Sequence, residues 1–213
     1  MRRIASLLTG LLLIAAGGAR AGDTAGAFDY YVLSLGWSAT WCELTGDRRG
    51  DPQCADGKGL TFTLHGLWPQ YENGYPDRCH SDQADASKAQ TAAMADIMGG
   101  AGLAWHEWKK HGRCSGLPAA DYFAAARKAY DAVTIPPLFA KVRQDLTLPA
   151  SVIEDAFLEA NPQLVADDLT VTCESGKIDE VRICLGKSLT PRPCGADVAQ
   201  DCRLTNADLP PVR

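Results

Sequence analysis

The sequence predicts an α+β fold: an antiparallel sheet flanked by several helices, in a single disulfide-stapled domain. Three observations predict it. Apolar and polar residues alternate near both ends of the chain, which is the mark of half-buried strands. The segments between them repeat at helical spacing. Eight cysteines run from Cys42 to Cys202, and no repeat, low-complexity tract or linker divides the chain. Strands at both ends with helices between them give the α+β class.

The first residues read as an address. Met1-Arg2-Arg3 is a basic start, Ile4 to Ala16 an apolar run, and Ala19-Arg20-Ala21 a small-x-small cleavage site. Residues 1–21 are therefore expected to be a signal peptide, too short in its apolar part to span a membrane. Residues 22–213 remain, 192 of the 213, the size of one domain with a real core. Without Arg2, Arg3 and Arg20, 18 basic residues face 26 acidic ones, a formal charge of −8. So acidic a chain does not bind polyanions by long-range attraction, and any contact with nucleic acid must be local.

An even cysteine count in an exported chain reads as four disulfides. No two cysteines form a C-x-x-C pair, and spacing alone leaves the pairing open. No N-x-S/T sequon occurs. The plain leader without sequons leans toward a bacterial protein, periplasmic or extracellular, with no membrane attachment once the leader is removed.

In chain order, Tyr31, Leu33, Leu35 and Trp37 share one face of a strand over 30–37. Residues 38–59, with Gly46, Gly50 and Pro52 between Cys42 and Cys54, read as a long stapled loop. Leu60 to Leu67 is a second strand, with Leu60, Phe62 and Leu64 on one side and His65 on the other. Gly66 lets a ligand or backbone approach closely, and Trp68 offers a flat stacking surface. Residues 70–79 are turn-rich. Helices are expected over 86–98, over the stretch 105–114, over 118–133, over 138–146 and over 149–160. Leu169 to Cys173 and Ile178 to Leu185 form a hairpin through Glu174-Ser175-Gly176-Lys177. Pro191 and Pro193 make the tail irregular.

The chemistry concentrates in Trp105-His106-Glu107-Trp108-Lys109-Lys110-His111-Gly112-Arg113-Cys114. On a helix, with His106 at 0°, Lys110 lies at about 40°, Glu107 at about 100° and His111 at about 140°. One arc thus carries proton-transfer groups and a fixed positive charge, and Gly112 suits the helix end. A solvated polar face is the plain alternative. Three chemical readings compete. A zinc site needs histidines at i,i+4, whereas His106 and His111 are i,i+5 with a lysine between them. A nucleophilic triad lacks a G-x-S-x-G segment and a reduced cysteine. Metal-free phosphoryl transfer on RNA needs a base, an acid and a fixed cation. Two histidines supply the first two and Lys110 the third. Trp68 can hold a base by stacking, while His65 and His111 flank the phosphate.

Phe62-Thr63-Leu64-His65-Gly66-Leu67-Trp68-Pro69 resembles the first conserved segment of the T2 ribonucleases, and residues 106–114 resemble the second. Tyr30 to Cys42 is similar to the family's first strand, and Glu180 to Cys194 to its late strand. The resemblance implies His111 as general base and His65 as general acid. Glu107 and Lys110 would stabilise the pentacoordinate state, and His106 would hold the phosphate. Trp68, Gln70 and Tyr75 would bind a base. It implies the disulfides Cys79–Cys114, Cys173–Cys202 and Cys184–Cys194, leaving Cys42–Cys54. It implies RNA as substrate, low base specificity, no DNA cleavage, no metal or cofactor, and a monomer. Two departures stand out. Gly36 replaces a polar residue, typically glutamine, that helps bind a second base, and Gln70 replaces a common acidic residue. His80 matches no motif and reads as a surface residue. A T2-like fold used as a silent binding module is the alternative from another class, and a zinc hydrolase a more distant one.

Overall fold

The computed structural model describes residues 23–213, so the expected leader lies outside the described residues. Strand β1 (Tyr30–Trp37) runs through the middle of the sheet, between β2 (Phe62–Gln70) and β5 (Lys177–Leu185), antiparallel to both. Strand β4 (Leu169–Glu174) pairs with the other edge of β5. Strands β3 (Leu146–Leu148) and β6 (Ala207–Leu209) extend the sheet from the start of β5. The β5–β6 contact, Lys177 opposite Asp208, is parallel, so the antiparallel sheet carries one parallel pairing. The turn between β4 and β5 is Ser175-Gly176, both with positive φ (50° and 83°), as a primed hairpin turn demands.

Alternation decides which face is core. Tyr31, Leu33, Leu35 and Trp37 of β1 pack with Val181, Ile183 and Leu185 of β5 on one side of the sheet. Four helices cover that side. They are α4 (Ala95–Met98), α5 (Ala101–Lys110), α6 (Ala119–Asp131) and α7 (Ser151–Ala160), contributing Met98, Trp108, Tyr122, Phe123 and Phe157 among others. Phe62 sits among Trp37, Phe139 and Phe157 with ring centroids 5.0–5.2 Å away. Fully burying each such side chain stabilises the fold by about 1.5–3 kcal/mol. The opposite face carries Tyr30, Val32 and Cys184, covered in part by Val198 of the tail.

Several elements differ from the sequence-based expectation. The stretch after β1 is helical, not a loop: α1 (Ser38–Trp41), a π turn (Cys42–Gly46) and α2 (Asp47–Arg49) run on continuously. Gly46 lies inside it because a Cβ there would meet Cys54 Sγ at 2.4 Å and the Trp41 ring at 2.5 Å. Gly50, at φ 61°, is the residue that ends the helix. The helix expected over 86–98 is two, α3 (Lys88–Ala92) and α4; Ser87 and Gln90 form a capping box at the start of α3, and nothing in the sequence marks the break. The helix expected over 138–146 is a 3-10 turn at Pro137–Lys141 followed by β3. Strand pairing with β6, itself not foreseen, overrides the local pattern there. Helix α5 stops at Lys110, and Gly112 opens a 3-10 turn rather than capping the helix. It is needed for packing, since a Cβ would lie 2.6 Å from the Trp108 ring.

Candidate active site

Strand β2 holds the first half of the site, and a bulge in it does the aiming. Leu64 pairs with Leu35 and Gly66 with Ser34, so His65 has no partner on β1. Strict alternation would send Trp68 to the core with Phe62 and Leu64. The extra residue reverses this. Leu67 joins Phe62 and Leu64 in the core, while Trp68 emerges beside His65, its ring 5.1 Å from the imidazole. Just past the bulge, the Tyr122 hydroxyl donates to the Leu67 carbonyl (3.0 Å) and fixes β2 to α6. Pro69 is tolerated because β2 is the edge strand.

The second half comes from the end of α5. Glu107 is 1% exposed and His111 4% exposed, although both belong to a charged, helical sequence. His111 has left the helix (φ −118°) and lies stacked on Trp68, centroids 5.2 Å apart and planes at 29°. Trp68 Nε1 donates to Glu107 Oε2 (2.6 Å), and Glu107 Oε1 is 3.6 Å from His65 Nε2. His65, Trp68, Glu107 and His111 are therefore one contact group. Lys110 is half-buried beside them and His106 is exposed at the rim. His80, in contrast, points to solvent.

The Cys79–Cys114 disulfide joins the loop after β2 to the turn after α5, and the Arg78 backbone N–H donates to the Lys110 carbonyl (2.9 Å). The other disulfides are Cys42–Cys54, Cys173–Cys202 and Cys184–Cys194. Replacing Cys79 and Cys114 together with alanine frees a loop spanning 35 residues. The expected loss is about 3–4 kcal/mol of unfolding free energy, measured by denaturant titration.

Two cavities meet at these residues. The smaller, about 430 Å³, is lined by Trp68, Gln70, Tyr75, Glu107, Lys110 and His111. The larger, about 570 Å³, is lined by Gly36, Trp41, Arg49, Asp51, Gln53 and Leu103, among others. His65, His106, Asp179 and Glu180 line both. One face of Trp68 is taken by His111, so Tyr75, 51% exposed, is the more open aromatic of the smaller cavity. Gly36 leaves the floor of the larger one clear, since a Cβ there meets nothing within 4 Å.

The histidines are driven apart electrostatically. Burial, then the charges of Lys110, His65 and His106, push His111 down to about 3. His106 is lowered too, by burial and Lys110. Burial also opposes charge on His65, but the hydrogen bond and charge of Glu180, followed by Glu107 and Asp179, outweigh it and hold His65 above the ordinary histidine range. Burial raises the Glu107 carboxyl, against the pull of His65, the Trp68 N–H and Lys110. Among the described residues no group of three or more His, Cys, Asp or Glu is placed to hold a metal ion.

Sequence reasoning missed Glu180 and Arg182. Glu180 Oε1 accepts from His65 Nδ1, and Arg182 grips Oε2 through Nε (2.8 Å) and Nη2 (2.7 Å). The signal was there in part. Glu180, Arg182 and Cys184 alternate with core-facing Val181, Ile183 and Leu185, and charges on an inner strand call for partners.

A family model, the ribonuclease T2 family, matches residues 28–194. The chain is 40% identical over 128 residues to a ribonuclease of Aeromonas hydrophila, which takes in 59% of this chain and 56% of that one. It spans about half the length of the curated relatives it matches. Its fold is similar to that of an RNase-related protein from Calystegia sepium (TM-score 0.69, 21% identity, 87% of this chain and 98% of that one). RNase NT in complex with 5′-AMP is comparably similar (TM-score 0.65, 23% identity, 86% and 98%). The match extends from before β1 to Cys194 and takes in both halves of the site, and the chain belongs to the ribonuclease T2 family.

Proposed function

We propose that this chain is a metal-independent endoribonuclease of low base specificity. It cleaves RNA through a 2′,3′-cyclic phosphate and then opens that ring to a 3′-phosphate. The observation that carries this is the placement of His65 and His111 around Trp68, one edge-on and one stacked, with surroundings that favour the charged ring at His65 and the neutral ring at His111. Two titratable groups whose surroundings separate their pKa values are an acid and a base.

His111, kept neutral, takes the 2′-hydroxyl proton. The 2′-oxygen attacks phosphorus, and the leaving 5′-oxygen takes the proton from His65 Nε2. In the second step a water gives its proton to His65 and attacks phosphorus, and His111 returns its proton to the 2′-oxygen. Glu107, with its carboxyl raised by burial, donates a hydrogen bond to a non-bridging oxygen of the phosphorane when protonated. Lys110 supplies the fixed charge, and His106 at the shared rim holds the phosphate. Nucleosides on either side of the scissile bond occupy the two cavities. Trp68, Gln70 and Tyr75 hold one base by stacking and edge contacts, which tolerate base identity. DNA lacks the 2′-hydroxyl nucleophile and is not cut. Four disulfides fit an exported, oxidising location. Among the described residues no helix is long and apolar enough to cross a membrane.

The test is RNA cleavage in excess EDTA. Cleavage should persist, with cyclic-phosphate ends appearing before 3′-phosphates, while DNA of the same sequence stays intact. Loss of activity in EDTA would point to metal-assisted hydrolysis, and no cleavage at all to a binding module. The pH profile has a definite sign. The kcat/KM ratio climbs as pH rises through the low His111 value. It falls as pH rises through the His65 value, above about 6.5. Mildly acidic solution is the plateau.

A further inference from the structure

Glu180 and His65 are 115 residues apart in the chain, on strands separated by β1. Their contact reaches across β1, where Gly36 lies opposite Glu180. The Glu180 side chain meets the ring at Nδ1. Its two oxygens are divided, Oε1 to His65 and Oε2 to the Nε and Nη2 of Arg182. We propose that Glu180, backed by Arg182, is a positioning residue for the cleavage reaction: it fixes the His65 ring and retains on it the proton that the leaving oxygen takes. This rests on the ribonuclease reading above.

The geometry assigns the two ring nitrogens different duties. Nδ1 is committed to Glu180. Nε2 is the nitrogen left to face the reacting atoms, with Glu107 Oε1 3.6 Å away. When Nε2 gives its proton to the 5′-oxygen, the P–O electron pair leaves with that oxygen. The ring becomes neutral with Nδ1–H still donated to Glu180, so Nε2 is the site that accepts the proton of the hydrolytic water. A buried carboxylate can serve in this way only if it stays ionised. Burial opposes the charge on Glu180, but His65 and Arg182 overcome it and bring the group down to about 2. The charged groups around His65 enter this balance, among them Glu174 of β4, which lines both cavities with it, and Arg49 and Asp51 across the larger one. On β5 these are Asp179, which burial and the adjoining Glu180 and Glu174 push up to about 6, Glu180 and Arg182. On α5 they are His106, Glu107 and Lys110, with His111 at its end. Glu180 is the one that contacts the ring at hydrogen-bond range.

The test separates acid catalysis from simple structural support. Glu180→Gln and Arg182→Gln are compared with the unchanged chain on two substrates, RNA and a ribonucleoside 3′-(4-nitrophenyl) phosphate. Nitrophenolate departs without a proton. Glu180→Gln should slow RNA cleavage by about 100-fold, with KM little changed and the deficit nearly absent on the nitrophenyl ester. The alkaline limb of kcat/KM should move to lower pH by about one unit or more. Arg182→Gln should move both readouts in the same direction by less. In parallel, NMR titration of the His65 imidazole in the unchanged chain should give a value above the ordinary ~6.5. Equal losses on both substrates, an unmoved alkaline limb, or a His65 titration at or below the ordinary value would each overturn the proposal. If Glu180→Gln does not fold, Arg182→Gln and the His65 titration decide the matter. If the unchanged chain cleaves neither substrate, the ribonuclease reading fails, and the titration still shows whether Glu180 holds the ring charged.

Discussion

His111→Ala and His65→Ala are each expected to lower RNA cleavage by about 10²- to 10⁴-fold, the range a positioned proton-transfer group supplies, while the protein stays folded. His111 is the cleaner case. Its Nδ1 is buried without a hydrogen-bond partner. A buried, unsatisfied polar atom costs stability, about 1–3 kcal/mol. Removing it offsets part of the loss from the small cavity that alanine leaves. Its backbone N–H to the Glu107 carbonyl (2.9 Å) survives the substitution. The two variants differ on an activated substrate. His65→Ala regains most of its rate on a nitrophenyl ester, because no acid is needed. His111→Ala does not, because the 2′-hydroxyl still needs a base. The double variant falls little below the worse single one, since acid and base act in one step. Initial rates together with far-UV circular dichroism decide this. Near-full turnover by either folded variant would remove that histidine from the proposed reaction.

How much of this could be read without coordinates depends on the range of the interaction. Strand β1 was legible because one of its faces meets a continuous core, and Tyr31, Leu33, Leu35 and Trp37 state this locally. The membership of His106, Glu107, Lys110 and His111 in one region was legible because they lie on one short stretch. Their separation into a buried carboxyl, a stacked ring and a rim group was not, because it depends on where α5 ends. The bulge at His65 was hidden because register is a property of the β1–β2 pair and not of either strand. Glu180 was hidden for the same reason, with β1 intervening. Gly46 misled because a glycine that admits a close neighbour looks, in sequence, like one that makes a turn.

Gly66→Ala should cost about 100-fold or more in kcat/KM, the scale of a misplacement of about 1 Å at the reacting atoms, and about 1–3 kcal/mol in stability. Its Cβ would stand 2.3 Å from Glu107 Oε2 and 2.3 Å from Trp68 Nε1, the two atoms joined by the 2.6 Å hydrogen bond at the centre of the site. Neither neighbour yields easily. The indole is held by its stack on His111, and the carboxyl is buried on α5. The methyl group therefore wedges donor from acceptor, and Glu107 loses both its position beside His65 and the N–H that helps hold its charge. The same chemical change at Gly102 of α5 provides the contrast. A Cβ there meets nothing within 4 Å, so Gly102→Ala should gain about 0.5–1 kcal/mol from reduced backbone freedom in a helix. Thermal unfolding of both variants, with kinetics on Gly66→Ala, tests the argument. An unimpaired Gly66→Ala enzyme would mean that the contact between Glu107 and Trp68 does not matter to the rate, and that Gly66 answers only to the path of the strand.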